Sequence, residues 1–270
     1  MFPSKTTLAA LVALPLALLG GGRAMAVDAG LEQSIRSSHF IFAGTFETLG
    51  ASNLSLLPAS DQTALVRVRE VIDQPPVFGS TRGALVTVQL ANSPAGAVVG
   101  GQAVFFTNGM LYGENLAVSE VSRNPDPPGV PESAVLDSLR KDVATVRQLE
   151  ADEALAVRLA SAIAVVSGKV GETRPVGRNE ESGEHAASWI FATLAVDATL
   201  KGRPVAGVYF AEDADHFWGA APKLTPGQAA IFLLQPPVDG DVPADALVVV
   251  DPLDVLTQDQ FDRVRGLLLR

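Results

Sequence analysis

Residues 28–46 read DAGLEQSIRSSHFIFAGTF, and residues 152–170 read DEALAVRLASAIAVVSGKV. The two stretches align without a gap. Asp28 falls on Asp152, Leu31 on Leu155, Ile35 on Leu159, Ser37 on Ser161 and Gly44 on Gly168. Identity is low, but the order of features is the same. An acidic start leads into a short segment with apolar residues at i and i+4, the mark of an amphipathic helix. A β-rich run follows and ends near a glycine. A pattern written twice at this spacing predicts two units of one architecture.

The correspondence extends outward. Residues 65–72, LVRVREVI, alternate apolar and polar positions like a half-buried strand, and residues 189–200, WIFATLAVDATL, are their counterpart. Each leads into a turn, Asp73-Gln74-Pro75-Pro76 in one half and Lys201-Gly202-Arg203-Pro204 in the other. A third strand is expected over 84–90 and over 206–211. Gly101-Gln102-Ala103-Val104-Phe105-Phe106 then pairs with Gly227-Gln228-Ala229-Ala230-Ile231-Phe232 as the fourth, and 115–121 pairs with 246–250 as the fifth. Helices close both halves. The first spans 132–150, with Val135, Leu139, Val143 and Val146 at helical spacing. The second spans 258–269, with Thr257 as its expected N-cap. The reading is a mainly β (α+β) protein of two tandem five-stranded OB-like antiparallel barrels with flanking helices, at residues 27–150 and 151–270, favoured over a β-sandwich with flanking helices because five strands and a closing helix suit a barrel capped at one end.

Residues 1–26 stand apart from this pattern. Lys5 precedes an apolar run over 6–19, and Arg23-Ala24-Met25-Ala26 ends in small residues. That layout predicts a secretory signal peptide cleaved after Ala26. The run is shorter than the ~20 residues that span a bilayer. The expected location is therefore the periplasm or the extracellular space, with no membrane span after cleavage. The chain has 30 acidic and 20 basic residues, and without the first 26 the net charge falls to about −12. Such a surface repels phosphate backbones, which argues against nucleic acid as a partner. Cysteine is absent. Disulfides, thiolate metal sites and thiol catalysis are excluded, and stability must come from buried apolar area.

Three short patterns recur in order. A strand ends in glycine at Phe40-Ile41-Phe42-Ala43-Gly44 and at Ala164-Val165-Val166-Ser167-Gly168. A long strand runs into Leu200-Lys201-Gly202. Gly227-Gln228 leads into Ile231-Phe232-Leu233-Leu234. Together they resemble the OB-like barrel of netrin-type modules and tissue inhibitors of metalloproteinases. The resemblance implies the fold and, by analogy, protease inhibition. In that family an N-terminal cysteine chelates the protease metal. This chain has none, so the inhibitory mechanism transfers to no residue here, and fold alone does not assign function.

The catalytic signatures GxSxG, HExxH and the P-loop are missing. Of three histidines, His39 opens a strand as an expected packing residue at a barrel end, and His185 follows an acidic loop. The third lies in Glu212-Asp213-Ala214-Asp215-His216-Phe217-Trp218-Gly219. Asp213, Asp215 and His216 are candidate ligands for a divalent cation, and Phe217 and Trp218 are candidate contact residues. No catalytic residue and no cofactor other than such a metal is expected. The leading expectation is an exported, non-catalytic binding or structural protein with a protein or peptide partner. A metal-assisted hydrolase using Asp213, Asp215 and His216 is the alternative.

Overall fold

A computed structural model describes residues 27–91, 96–113, 115–125, 132–177, 187–212, 218–237 and 242–270. Among them the chain is mainly β, with three α-helices. It divides into two compact units, Met1–Glu70 with Pro75–Pro125, and Val71–Gln74 with Asp126–Arg270.

The first unit opens with α1 (Ala29–Arg36). Asp28 caps it, accepting the backbone N–H groups of Gly30 at 2.9 Å and Leu31 at 3.2 Å. Five strands follow: β1 (Phe40–Leu49), β2 (Thr63–Asp73), β3 (Leu85–Gln89), β4 (Gln102–Tyr112) and β5 (Leu116–Pro125). They close into a barrel in the order β1-β2-β3-β5-β4. The expectation of a purely antiparallel barrel is corrected, because β3 and β5 pair in parallel. Five strands cannot alternate all the way round a ring, so one neighbouring pair must run the same way. Inside, Phe42 stacks on Phe40 and Phe105 at centroid distances of 4.6 and 5.1 Å, and Phe46 meets Phe105 edge-on. These rings supply much of the buried apolar area that a cysteine-free domain needs.

The second unit begins with α2 (Glu132–Ser161). The sequence pattern predicts a closing helix and a separate short helix over this stretch. The structure joins them, because no glycine or proline interrupts residues 132–161. Lys201 Nζ donates to the carbonyls of Leu159 and Ala160 at 2.7 and 2.9 Å, satisfying the open C-terminal end. The strands are β6 (Ala164–Gly177), β7 (Trp189–Lys201), β8 (Gly207–Ala211), β9 (Ala229–Leu234), β10 (Val248–Val249) and β11 (Val255–Leu256), followed by α3 (Phe261–Leu268). Thr257 is not the expected cap. A 3-10 turn at Gln258–Gln260 precedes α3, and the Thr257 side chain caps no backbone N–H there.

These strands form a six-stranded sheet, β10-β8-β7-β6-β9-β11. The pairings of the first unit recur: β6 with β7 and β9 antiparallel, β7 with β8 antiparallel, β8 with β10 parallel. Among the described residues no ladder completes the ring, and β9 and β10 meet at a bridge between Gln235 and Val248. Pro236 and Pro237 follow Gln235 directly and cannot donate to a ladder, whereas β4 runs on to Tyr112 with no proline. Asp251-Pro252 likewise ends the fifth strand in a capped 3-10 turn.

The registers also correct the Gly-Gln pairing by one residue. Ala103 faces Gly44, and Ala230 faces Gly168, so Phe105 and Phe232 occupy the same place. A slip of one residue exchanges the two faces of a strand. Val166, Phe232 and Leu234 lie in one core layer. Val165, Ile231 and Leu233 lie in the other, with Leu155 and Leu159 of α2 and Val264 of α3.

A polar clamp holds this second unit. Asp254 is fully buried. It accepts from Arg158 Nη2 on both oxygens at 2.6 Å, from Gln235 Nε2 at 3.2 Å, and from the backbone N–H groups of Val250 and Asp251 at 2.9 Å. One carboxylate thus ties α2, the end of β9 and the turn after β10, with its hydrogen-bonding capacity filled.

Candidate functional site

Asp213, Asp215, His216 and Phe217 lie outside the described residues, as does His185. Among the described residues, no three histidine, aspartate or glutamate side chains group as a metal site would require. His39 is exposed rather than packed, correcting the expectation for it. Its Nδ1 lies 2.7 Å from Asn108 Oδ1, which also accepts the His39 backbone N–H at 3.0 Å, while Asn108 Nδ2 donates to the Ser37 carbonyl. His39 therefore anchors the end of α1 to β4.

Trp218 is the described member of the sequence-derived contact pair. It opens a turn whose Ala221 N–H donates to the Trp218 carbonyl at 2.9 Å. Lys223 Nζ pins the turn, donating to the carbonyls of Ala211 at 2.7 Å and Trp218 at 3.1 Å. The Trp218 ring meets Trp189 edge-on, with centroids 5.6 Å apart. Trp189 is 1% exposed, at the start of β7 and in register with Ala211 of β8. Ala187, Ala221, Val242, Ala246 and Val248 complete a small apolar cluster around them. The indole Nε1 of Trp189 has no hydrogen-bond partner among the described residues. An unsatisfied buried donor is costly, about 1–3 kcal/mol, and calls for a partner.

Two residues along β7, hence on the same face of the sheet, lies a row that sequence reading missed. Arg174, Phe191 and Tyr209 stand in register on β6, β7 and β8. The Arg174 guanidinium carbon is 5.0 Å from the Phe191 ring centroid, and Phe191 meets Tyr209 edge-on at 5.1 Å. Gly207 makes room for this row, since a Cβ there would run into the Phe191 ring. The readable signal was the alternation of Trp189 and Phe191 on one strand. Its alignment with Arg174 and Tyr209 depends on register, which the sequence does not display.

No helix among the described residues is long and apolar enough to cross a membrane. No protein-family model matches the chain, and no curated protein matches it.

Proposed function

We propose that the chain is an exported, non-catalytic binding or structural protein of the cell envelope or extracellular space. Its partner is a protein or peptide, and Phe217 and Trp218 are its contact residues. The observation that carries this reading is the half-buried Trp218 ring lying edge-on against the buried Trp189 in a small apolar cluster. Rigid aromatic anchors of this kind dominate binding surfaces. The Arg174–Phe191–Tyr209 row on the same sheet face extends the surface that such a partner covers.

On this reading the two units are copies of one OB-like pattern. Common strand pairings and one parallel pair in each support that. The resemblance to netrin-type modules and metalloproteinase inhibitors then concerns architecture alone, for want of the chelating cysteine. Cleavage after Ala26 is compatible with the fold, because the cap of α1 uses the side chain of Asp28.

The test is affinity capture from envelope extract with the mature chain and with a Phe217→Ala/Trp218→Ala variant. The expected result is a partner retained by the parent and lost by the variant. Undiminished capture by the folded variant removes Phe217 and Trp218 as the contact residues.

A further inference from the structure

The first unit holds a cavity of about 490 Å³ where the end of β1, the start of β4 and the outer half of β5 converge. Phe46, Gln102, Ala103, Glu120, Val121 and Arg123 are among its walls. Its size lies within the ~300–1,000 Å³ of small-molecule sites. A bulge shapes it. Phe106 pairs with Ser122 and Thr107 with Glu120, so Val121 is left over in the register. Residues three apart on a regular strand point to opposite faces. The extra residue turns Glu120 and Arg123 to the same side, as bulges beside functional sites do.

The result is a pair of opposite charges in the cavity wall. Arg123 Nη1 donates to Glu120 Oε2 at 2.8 Å, and the two side chains are only 15% and 6% exposed. The Arg123 guanidinium also lies 5.8 Å from the centroid of the Phe46 ring. Burial pushes the Glu120 carboxyl above the usual range, against the opposing pull of Arg123 and of the Ala91 backbone N–H. Withdrawing such a pair from water is costly, and apolar residues of similar volume would serve packing at least as well. The second unit offers a contrast. Its cavity beside Val170 and Gly227, the same strand ends, has no wall from a fifth strand, and its β10 is only Val248–Val249.

A ligand matching this wall carries its own adjacent positive and negative charges beside an apolar group. A lone amine or a lone acid would match one wall charge and leave the other facing an unmatched group. We propose that this cavity binds a free α-amino acid with an apolar side chain, its ammonium on Glu120, its carboxylate on Arg123 and its side chain against Phe46, Ala103 and Val121. The site is independent of the Trp218 turn.

Equilibrium dialysis of the mature chain with L-leucine and L-phenylalanine tests it, with 3-methylbutylamine and 4-methylpentanoic acid as probes that each keep one charge of leucine. The expected result is saturable one-to-one binding of at least one amino acid, with the single-charge analogues weaker by about tenfold or more, the loss of one charge-assisted hydrogen bond. Glu120→Gln and Arg123→Gln weaken binding by a similar factor. Should either fail to fold by circular dichroism, Val121→Phe narrows the cavity with both charges in place and must abolish binding. The proposal is overturned if neither amino acid saturates at about 10 mM, weaker than any useful site, if a single-charge analogue binds as well as leucine, or if folded variants bind like the parent.

Discussion

The two units share their strand pairings and differ in how the ring is finished. In the first, β4 and β5 form a long hairpin that closes the barrel. In the second, two prolines stop β9, and a single bridge joins it to a two-residue β10. What replaces the missing ladder is the buried Asp254 with Arg158, Gln235 and two backbone amides. One strand order can thus be held either by backbone hydrogen bonds or by a single saturated carboxylate.

Breaking that carboxylate gives the largest expected effect. Asp254→Ala leaves the partly buried Arg158 guanidinium and two backbone amides without their acceptor, and costs about 3 kcal/mol. Urea unfolding measures it, and hydrogen exchange should show protection lost from the second unit first. A loss of under about 1 kcal/mol would mean that packing, not the clamp, closes that unit.

A smaller effect sharpens the comparison at the aligned glycines. A Cβ on Gly168 would meet the backbone carbonyl of Ala195, whereas one on Gly44 would meet chiefly a methyl of Val66. Backbone cannot step aside as a side chain can. Gly168→Ala should cost near the upper end, and Gly44→Ala near the lower end, of the ~1–3 kcal/mol of overpacking. Equal losses in thermal or urea unfolding would show that the two sites are equally rigid.

The smallest effect concerns Asp152 in the second half of α2. Burial alone would raise its carboxyl, but hydrogen bonds from Arg263 and Gln148 outweigh that and hold it below the usual carboxylate range. A depressed acid contributes stability that is complete above its ordinary range and is lost as the pH falls through the folded value. Asp152→Asn should therefore cost under about 1 kcal/mol at neutral pH, as partly exposed pairs do. The gap to the parent should close on acidification below the ordinary carboxylate range. A gap that widens on acidification would reverse the sign of this pair.

Much of the fold was legible because its signals are local. The alternation at 65–72 marks β2, and the apolar spacing from Val135 to Val146 marks the first half of α2. The spacing alone could not show that α2 runs through 151 without a break, since two abutting helices carry the same pattern as one. The Gly-Gln echo was misaligned by one because short apolar runs look alike in either register, and only the pairing of Ala103 with Gly44 decides between them. Of the candidate site, Trp218 was legible as an aromatic beside a turn. Its partner Trp189, and the row of Arg174, Phe191 and Tyr209, come from three separate strands.

Local residue properties fixed which stretches form strands, that no covalent staple exists, and that Pro236 and Pro237 offer no amide proton beyond Gln235. Those are properties of single residues: missing amide protons, missing thiols, alternating side chains. That Asp254 is a buried clamp rather than a surface turn, and that a bulge sets Glu120 beside Arg123, follows from the packed fold. Asp254 and Arg158 lie 96 residues apart. Burial and facing depend on which distant segments pack together, and local composition does not encode that.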